Sequence, residues 1–382
     1  MEEFGFTAED LDWVRQRMAH HLGGSAQTID QYVRTHCIGL AGTVMRRRRA
    51  YLDTCYWIRL RDAQMRRDVA AVDHQLLAAL RSRVRDGSFL CPISDATFYE
   101  VHSQSDDTTR VATAELIDEL SAGVAITTQH DRMATELAGM LHRRAGLETF
   151  EPSALAWVPI SAVLGEQHPV IAFVPDDVQL ALQKGYYDLM CRMRLADATR
   201  LTGAIPREAR FADDVARDLQ AANEDHAGEH GTFDALRRAE LDGSMDLFVD
   251  AAISILRVLA SRTQGRVPLL TDDRLATDVA TQLLRALARV TEFPHDCPSL
   301  FVKATCYAAV RWDQLRVFQS NDMMDFNHAS AALPYCDGFL TDRALRAMLQ
   351  QRNTRLAELY PCAVFSDPTL ALAWIESSSD AL

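Results

Sequence analysis

The stretch that most constrains the fold of this 382-residue chain is residues 322–342, where acidic residues flank a predicted helix and a predicted strand. Asp322 and Asp325 are three positions apart and therefore share one face of a helix. The small residues at 329–332 allow that helix to approach a neighbour closely, and Pro334 is expected to end it. The segment thus predicts a tightly packed helix that carries carboxylates near its start.

A short apolar strand is predicted directly after this helix, at 338–340, and Thr341 and Asp342 follow it. In open α/β sheets, ligands bind at the carboxyl ends of the strands. Divalent cations such as Mg²⁺ take oxygen ligands, often from different structural elements. Asp342 is therefore a candidate metal ligand. Asp337, ahead of the strand, is either a further ligand or a turn residue.

The first half of the chain offers two more acids in comparable positions. Residues 50–58 begin as an apolar strand that ends at Asp53 and then turn into a helix. A second strand is predicted at 89–93, and the helix after it, at 94–101, carries Glu100. Asp53 is either a metal ligand at the end of a strand or an ordinary helix N-cap.

Composition narrows the class of protein. The chain is 48% hydrophobic and 24% charged, as in ordinary globular proteins, and no apolar run approaches the roughly 18 residues of a membrane span. The N-terminus is acidic and lacks the basic-then-apolar plan of a secretion signal. The 8 cysteines include no Cys-x-x-Cys pair, which indicates reduced thiols and neither a zinc site nor a disulfide framework. A cytoplasmic protein without a membrane partner is expected.

The distribution of predicted elements suggests four parts. An N-terminal helical prefix covers 1–48, and an α/β domain begins at 49–130. A mainly helical insertion follows at 131–300, after which the α/β domain is completed by 301–382. Because 382 residues exceed one average core, more than one compact body is expected.

Arginines are concentrated just ahead of Asp53. The net charge of the chain is −13, yet residues 46–86 contain 11 arginines and only 5 acids. The run Arg46, Arg47, Arg48 and Arg49 is either the solvated end of a helix or a patch that holds nucleic-acid phosphates. Since the run directly precedes Asp53 in sequence, the second interpretation would put bound phosphates beside a metal.

Four segments, taken in order, resemble the acidic motifs of the PIN-domain nucleases. They are Tyr-Leu-Asp-Thr-x-x-Trp-Ile, Ser-Asp-Ala-Thr-Phe-Tyr-Glu-Val, Asp-x-x-His-Ala-x-Ala-Ala and Phe-Leu-Thr-Asp-Arg-Ala-Leu. The resemblance covers about 50–130 and 300–380 and implies a three-layer PIN-like fold, a parallel sheet flanked by helices. It also implies the four metal-binding and catalytic acids, which are Asp53, Glu100, Asp325 and Asp342.

Two other acidic groups compete for these roles. Residues 269–274 repeat the Thr-Asp pattern at Asp272, but they precede Asp325, whereas the family places this pattern after that helix. Asp272 is therefore expected to be a helix N-cap. Asp322 is a further candidate ligand or an N-cap. The loop 223–231 holds mixed His and Glu residues and lacks an element that would fix a metal geometry.

Carboxylates that converge without a cation raise one another's pKa and destabilise the fold. One or two Mg²⁺ or Mn²⁺ ions would remove that cost, activate a water and stabilise charge on a scissile phosphodiester. Thr341 would orient a ligand or a water. The resemblance therefore implies a metal-dependent endonuclease acting on RNA or single-stranded nucleic acid. The alternative is a catalytically idle PIN-like scaffold that binds a protein partner, or a second copy of itself, through its helical insertion.

Overall fold

The computed structural model describes residues 8–24, 27–65, 70–147, 150–164, 168–204, 209–226, 228–262, 272–313 and 315–377. The protein is α/β, and most of its described residues are helical. The chain divides into two compact units. Unit 1 comprises Met1–Thr128, Ser153–Pro206 and Phe365–Leu382, and unit 2 comprises Gln129–Pro152 and Arg207–Val364.

Unit 1 contains the first four strands of the chain, which are β1 (Arg48–Leu52), β2 (Phe89–Leu90), β3 (Val124–Ile126) and β4 (Trp157–Pro159). Its helices are α1 (Ala8–Leu22), α2 (Ile29–Val44), α3 (Thr54–Gln64), α4 (Ala71–Arg85), α5 (Asp95–His102), α6 (Asp107–Ser121), α8 (Asp176–Met190), α9 (Leu195–Thr202) and α19 (Pro368–Glu376).

The strands of unit 1 form two pairs. β1 and β2 are parallel, with Arg48 opposite Phe89, and β3 and β4 are antiparallel. The inner residues of β1, Tyr51 and Leu52, are completely buried, because helices cover both faces of a parallel pair. The expectation of parallel strands with acids at their carboxyl ends is confirmed for β1.

Unit 2 is mainly helical. Its helices are α7 (Gln129–Arg144), α10 (Ala209–Asp225), α11 (Phe233–Met245), α12 (Val249–Arg262), α13 (Asp273–Leu287), α14 (Phe293–Asp296), α15 (Pro298–Trp312), α16 (Asp322–Tyr335), α17 (Arg343–Leu349) and α18 (Leu356–Leu359). Its strands are β5 (Gly338–Leu340) and β6 (Ala363–Phe365), which are hydrogen-bonded neighbours. The last residue of β6, Phe365, belongs to unit 1.

The small residues of the predicted helix at 329–332 allow close packing against a neighbouring helix, as expected. Ala329, Ala331 and Ala332 are completely buried in α16, which packs against α15. Pro334 lies inside the last turn of α16, and the helix continues for one residue beyond it, to Tyr335. The strand predicted at 338–340 is observed as β5 with the same limits.

A buried carboxylate connects the two N-terminal helices of unit 1 to α8. Asp188 accepts hydrogen bonds from Arg17 Nε at 2.7 Å and from Tyr32 Oη at 2.7 Å, and its Oδ2 lies 3.0 Å from His21 Nε2. Burial raises the pKa of Asp188, but the hydrogen bonds from Tyr32, His21 and Arg17 outweigh it and hold the pKa below its usual value. The ionised Asp188 thus links the predicted helical prefix to α8, against which α1 and α2 also pack.

A second buried carboxylate lies in unit 2. Glu136 on α7 accepts hydrogen bonds from Ser299 Oγ at 2.6 Å and from Tyr335 Oη at 2.5 Å. Arg132 donates to Ser299 Oγ at 2.9 Å and to Ser330 Oγ at 3.2 Å. Burial raises the pKa of Glu136 to about 7, although the hydrogen bonds and Arg132 act in the opposite direction. This network joins α7, α15 and α16.

Helix α19 completes unit 1 from the far end of the sequence. It packs against α4, and the Arg83 guanidinium donates to the Glu376 carbonyl at 2.9 Å. The Trp374 ring lies edge-on to Phe89 at 5.6 Å, and the Arg48 guanidinium lies 4.6 Å from the centre of the Trp374 ring. The side chain that opens β1 is therefore stacked on an aromatic ring.

Among the described residues, no helix is both long and apolar enough to cross a membrane. All 8 cysteines are free thiols, and those outside positions 55 and 191 are buried. Burial raises the pKa of the thiols at 91, 297 and 306, which keeps them protonated and unreactive.

Candidate metal-binding carboxylates

Asp53 directly follows β1 and begins α3. It occupies the N-cap position of α3 with extended backbone angles, but its side chain makes no capping hydrogen bond. The backbone carbonyl of Asp53 accepts from Tyr56 and Trp57, so the main chain starts the helix by itself. The carboxylate is only 5% exposed. The position expected of an N-cap is confirmed, whereas the capping bond that would explain an acid there is not formed.

Glu100 is brought to Asp53 by contacts within unit 1. Thr54 Oγ1 donates a hydrogen bond to Glu100 Oε2. Tyr51 Oη and Ser94 Oγ are also hydrogen-bonded, at 2.6 Å, and this bond connects β1 to the start of α5. The result is that an oxygen of Asp53 and an oxygen of Glu100 lie within 4.8 Å of each other.

Thr54 was not singled out from the sequence. It follows Asp53 directly, and its hydroxyl is the group that holds the neighbouring acid in place. The pattern that could have identified it is the hydroxyl residue one position after a strand-end aspartate, since a threonine there can reach an acid on an adjacent helix.

Asp342 lies between β5 and α17 in unit 2. Its Oδ1 atom accepts hydrogen bonds from the backbone N–H groups of Ala344 at 2.6 Å and Leu345 at 2.9 Å, so this aspartate does cap its helix. Oδ2 takes neither of these bonds. Oδ1 of Asp342 is therefore used to cap α17, whereas Oδ2 takes no part in the cap. Thr341, beside it, is completely buried.

Asp325, a metal ligand in the sequence-based prediction, lies in the first turn of α16. An oxygen of Asp325 and an oxygen of Asp342 lie within 4.8 Å of each other. Each unit therefore holds one close pair of carboxylates, Asp53 with Glu100 and Asp325 with Asp342. In each pair, one member follows the carboxyl end of a strand and the other stands on a helix.

The further candidates Asp322 and Asp337 have other surroundings. Asp322 is buried, and its two oxygens accept from Arg316 at 2.6 Å and from the Gln319 backbone N–H at 2.9 Å. A folding role accounts for it without a metal, and the N-cap position itself is taken by Asn321. Asp337 precedes β5, so a strand length of about 16 Å separates its Cα from that of Asp342.

The arginine run is placed differently from the expectation. Arg48 and Arg49 are the first residues of β1, so Asp53 lies at the opposite end of the strand, about 16 Å from Arg48 along the chain. Arg48 is stacked on Trp374, and Arg49 donates to the Met45 sulfur at 2.9 Å. The arginine run and Asp53 are therefore at opposite ends of β1, and phosphate binding by the run stays a prediction.

Asp272 behaves as expected, whereas the segment 223–231, predicted to be a loop, is helical at its start. Asp272 is the N-cap of α13, and its side chain accepts from the Leu275 backbone N–H at 3.0 Å. The positions just before it, 263–271, lie outside the described residues. In the predicted loop 223–231, α10 extends to Asp225, and His226 Nδ1 lies 2.9 Å from Glu229 Oε1. Within the described part of the chain, these His and Glu residues do not assemble into a group of metal ligands.

Two carboxylates held this close repel each other when both are ionised. A hard divalent cation compensates such repulsion, and Mg²⁺ or Mn²⁺ matches an all-oxygen donor set. The chemistry of both pairs therefore fits a metal ion. Comparison of the chain with models of known protein families, with characterised proteins and with solved structures yields no match, so the geometry of the chain itself carries the functional argument.

Proposed function

We propose that the protein is a metal-dependent endonuclease of the PIN-like type, which hydrolyses phosphodiester bonds of RNA or single-stranded nucleic acid. The observation that carries the proposal is the presence of two close carboxylate pairs, Asp53 with Glu100 and Asp325 with Asp342, at strand ends of the respective units. In this proposal all four acids bind the same Mg²⁺ or Mn²⁺ site.

The condition of Asp53 supports a ligand role. Asp53 is only 5% exposed, and its side chain does not cap the helix that it begins. Ionised beside Glu100, it would destabilise the folded state, and a bound cation reverses that effect. Asp342 combines both functions, because one oxygen caps α17 while the other is left to bind.

The residues would divide the work as follows. The four carboxylates hold and orient the metal, and Thr54 fixes the Glu100 carboxylate through its hydroxyl. Thr341 is suited to orient a ligand or a water. The bound metal supplies Lewis acidity and lowers the pKa of a coordinated water, so that hydroxide is accessible at neutral pH.

The first test is a thermal melt with and without millimolar Mg²⁺ or Mn²⁺. A ligand that binds only the folded chain raises the melting temperature by linkage. Asp53→Asn should abolish the rise. Asp272→Asn is the matched control, since asparagine also caps helices and Asp272 belongs to neither pair.

The second test asks whether the two pairs share a metal. Asp53→Asn and Asp325→Asn are combined in a double-mutant cycle with the metal-induced shift as readout. If one site is shared, each single substitution removes nearly the whole shift and the double variant loses no more. Two shifts that add independently would refute the shared site.

Activity is measured on end-labelled single-stranded RNA. Cleavage should require metal, stop in EDTA and be largely lost in Asp53→Asn, Asp325→Asn and Asp342→Asn, but not in Asp272→Asn. A melting temperature that metal does not change, together with uncleaved RNA, would refute the nuclease proposal and favour the partner-binding scaffold.

A further inference from the structure

A pocket in unit 2 lies outside the carboxylate pairs and has no role in the mechanism above. Its volume is about 460 Å³, which is enough for a planar heterocycle, and its lining includes Gln220, Asn223, Glu224, His226 and Trp312. All of these residues lie on or near α10 and at the end of α15. An aromatic wall beside several amide and carboxylate groups is a combination suited to an uncharged aromatic ligand with hydrogen-bonding edges.

Trp312 is the wall that a planar ligand would contact. It is the last residue of α15 and remains 41% exposed, which is unusual for so large an apolar ring. Phe233 packs edge-on against it, with ring centres 6.0 Å apart and an angle of 87° between the planes. The indole is therefore held in place by one neighbour and still presents surface to the pocket, as a stacking platform requires.

Hydrogen-bonding groups of the pocket wall remain unused. Asn223 Oδ1 accepts from Arg311 Nε at 3.4 Å, but the Asn223 amide nitrogen donates to no other described residue. Glu224 Oε1 accepts from Gln220 Nε2 at 2.8 Å, whereas Glu224 Oε2 has no donor within the described ranges. Consecutive residues of the wall therefore offer one unused donor and one unused acceptor, the two kinds of group that the edge of a nucleobase presents.

The charge of the pocket favours a base over a phosphate. The one arginine in its lining, Arg311, is already paired with Glu240 and bonded to Asn223. Glu224 repels a phosphate, and of the two histidines in the lining, His226 and His230, the first is hydrogen-bonded to Glu229. Beside Glu224 and the paired Arg311, a neutral ring is therefore favoured over a phosphate.

Trp312 also borders a second, more open groove, lined by Asp313, Gln351, Arg352 and Asn353. Arg352 is exposed, and within the described residues it forms no ion pair. A cation in this condition suits the phosphate of a nucleic-acid backbone. A base in the pocket and a phosphate in the groove would both lie beside the Trp312 ring.

From this arrangement we infer that unit 2 binds an unpaired nucleobase of single-stranded nucleic acid, stacked on Trp312, with the adjoining phosphate contacted by Arg352. The inference rests on the proposed nuclease function for its substrate class and extends it to a substrate-binding site. Trp312 holds the strand and is not a catalytic residue.

The experiment measures binding of a labelled oligoadenylate in EDTA, so that cleavage and the carboxylate site do not enter. Trp312→Ala should weaken binding by roughly tenfold or more, as expected for loss of base stacking. The dependence of binding on salt should stay unchanged, since no phosphate contact is lost. Arg352→Ala should instead lower the slope of log K against log salt by about one.

Controls separate stacking from general damage. Phe173→Ala removes a fully exposed aromatic side chain of unit 1 and should bind like wild type. Trp312→Phe keeps a smaller ring against Phe233 and should fall between wild type and Trp312→Ala, which guards against a misfolded alanine variant. An abasic oligomer of the same length should bind wild type and Trp312→Ala equally.

Two results would overturn the inference. One is oligoadenylate binding that Trp312→Ala leaves unchanged, and the other is an abasic oligomer that binds wild type as tightly as oligoadenylate does. Either result leaves the nuclease proposal standing if metal-dependent cleavage is observed. Conversely, loss of binding in Trp312→Ala by a protein that cleaves nothing would support the base site and refute the nuclease.

Discussion

Replacement of Glu136 by glutamine should remove a defined pH dependence of stability. Glu136 is buried in unit 2 and accepts from Ser299 and Tyr335, with Arg132 nearby but bonded to serine hydroxyls. Its pKa is raised from 4.5 to about 7, first because burial penalises the charge. The folded state therefore keeps a proton that the unfolded chain has already released.

The sign and size of the effect follow from proton linkage. Below pH 4.5 both states are protonated, and the contribution of Glu136 to stability is fully present. Between 4.5 and about 7 only the unfolded state loses the proton, so the free energy of unfolding falls as pH rises. A shift from 4.5 to about 7 corresponds to about 3 kcal/mol over this window.

The assay compares urea unfolding of wild type and Glu136→Gln from pH 4.5 to 8. Glutamine does not titrate, so the difference in unfolding free energy between the two proteins should change by about 3 kcal/mol, with wild type relatively more stable at the acidic end. Glu358→Gln, at an exposed glutamate paired with Arg355, is the control and should give a nearly flat difference. A flat difference for Glu136→Gln, or one of opposite sign, would refute the argument.

Three further expectations concern single side chains. Asp188→Asn should lower the unfolding free energy by about 2–4 kcal/mol near neutral pH, because donors that include Arg17 lose an ionised acceptor. The loss should shrink as acidification protonates Asp188 of the wild type, and urea unfolding at two pH values measures both effects. Asp342→Asn should preserve the cap of α17 and abolish metal-induced stabilisation, whereas Asp342→Ala should also cost about 1 kcal/mol without metal, as thermal melts would show. Arg48→Ala should cost about 1 kcal/mol through its contact with Trp374, and Arg48→Lys should recover part of it in the same melts.

The positions of several strands could be predicted because short apolar runs that lead to acidic residues are typical of buried strands in α/β sheets. β5 has the predicted limits, whereas β2 ends at Leu90, before the predicted limit of 93. The apolar run at 168–174, by contrast, does not form a strand: Val170, Ile171 and Phe173 are exposed, and Phe173 has a positive φ of 67°. Side-chain propensity alone cannot tell a buried strand from an exposed loop.

The start of β1 was missed for a related reason. Four consecutive arginines indicate solvent, yet two of them lie in the strand, and Arg48 is stacked on a tryptophan from the other end of the sequence. The contacts of Glu136 with Ser299, of Asp188 with Tyr32 and of Trp312 with the pocket also join distant segments. Periodicity describes local structure only, so contacts of this kind become visible only in three dimensions.

The attachment of α19 has a consequence for synthesis on the ribosome. Most of unit 1 precedes residues 207–364 of unit 2 in the chain, but the Trp374 ring contacts Phe89 and Arg48, and α19 packs against α4. The residues 207–364 of unit 2 therefore leave the ribosome before unit 1 can close its own core. During that interval β1, β2 and α4 lack the covering helix, so nascent chains stalled before residue 365 should present apolar surface to chaperones and proteases.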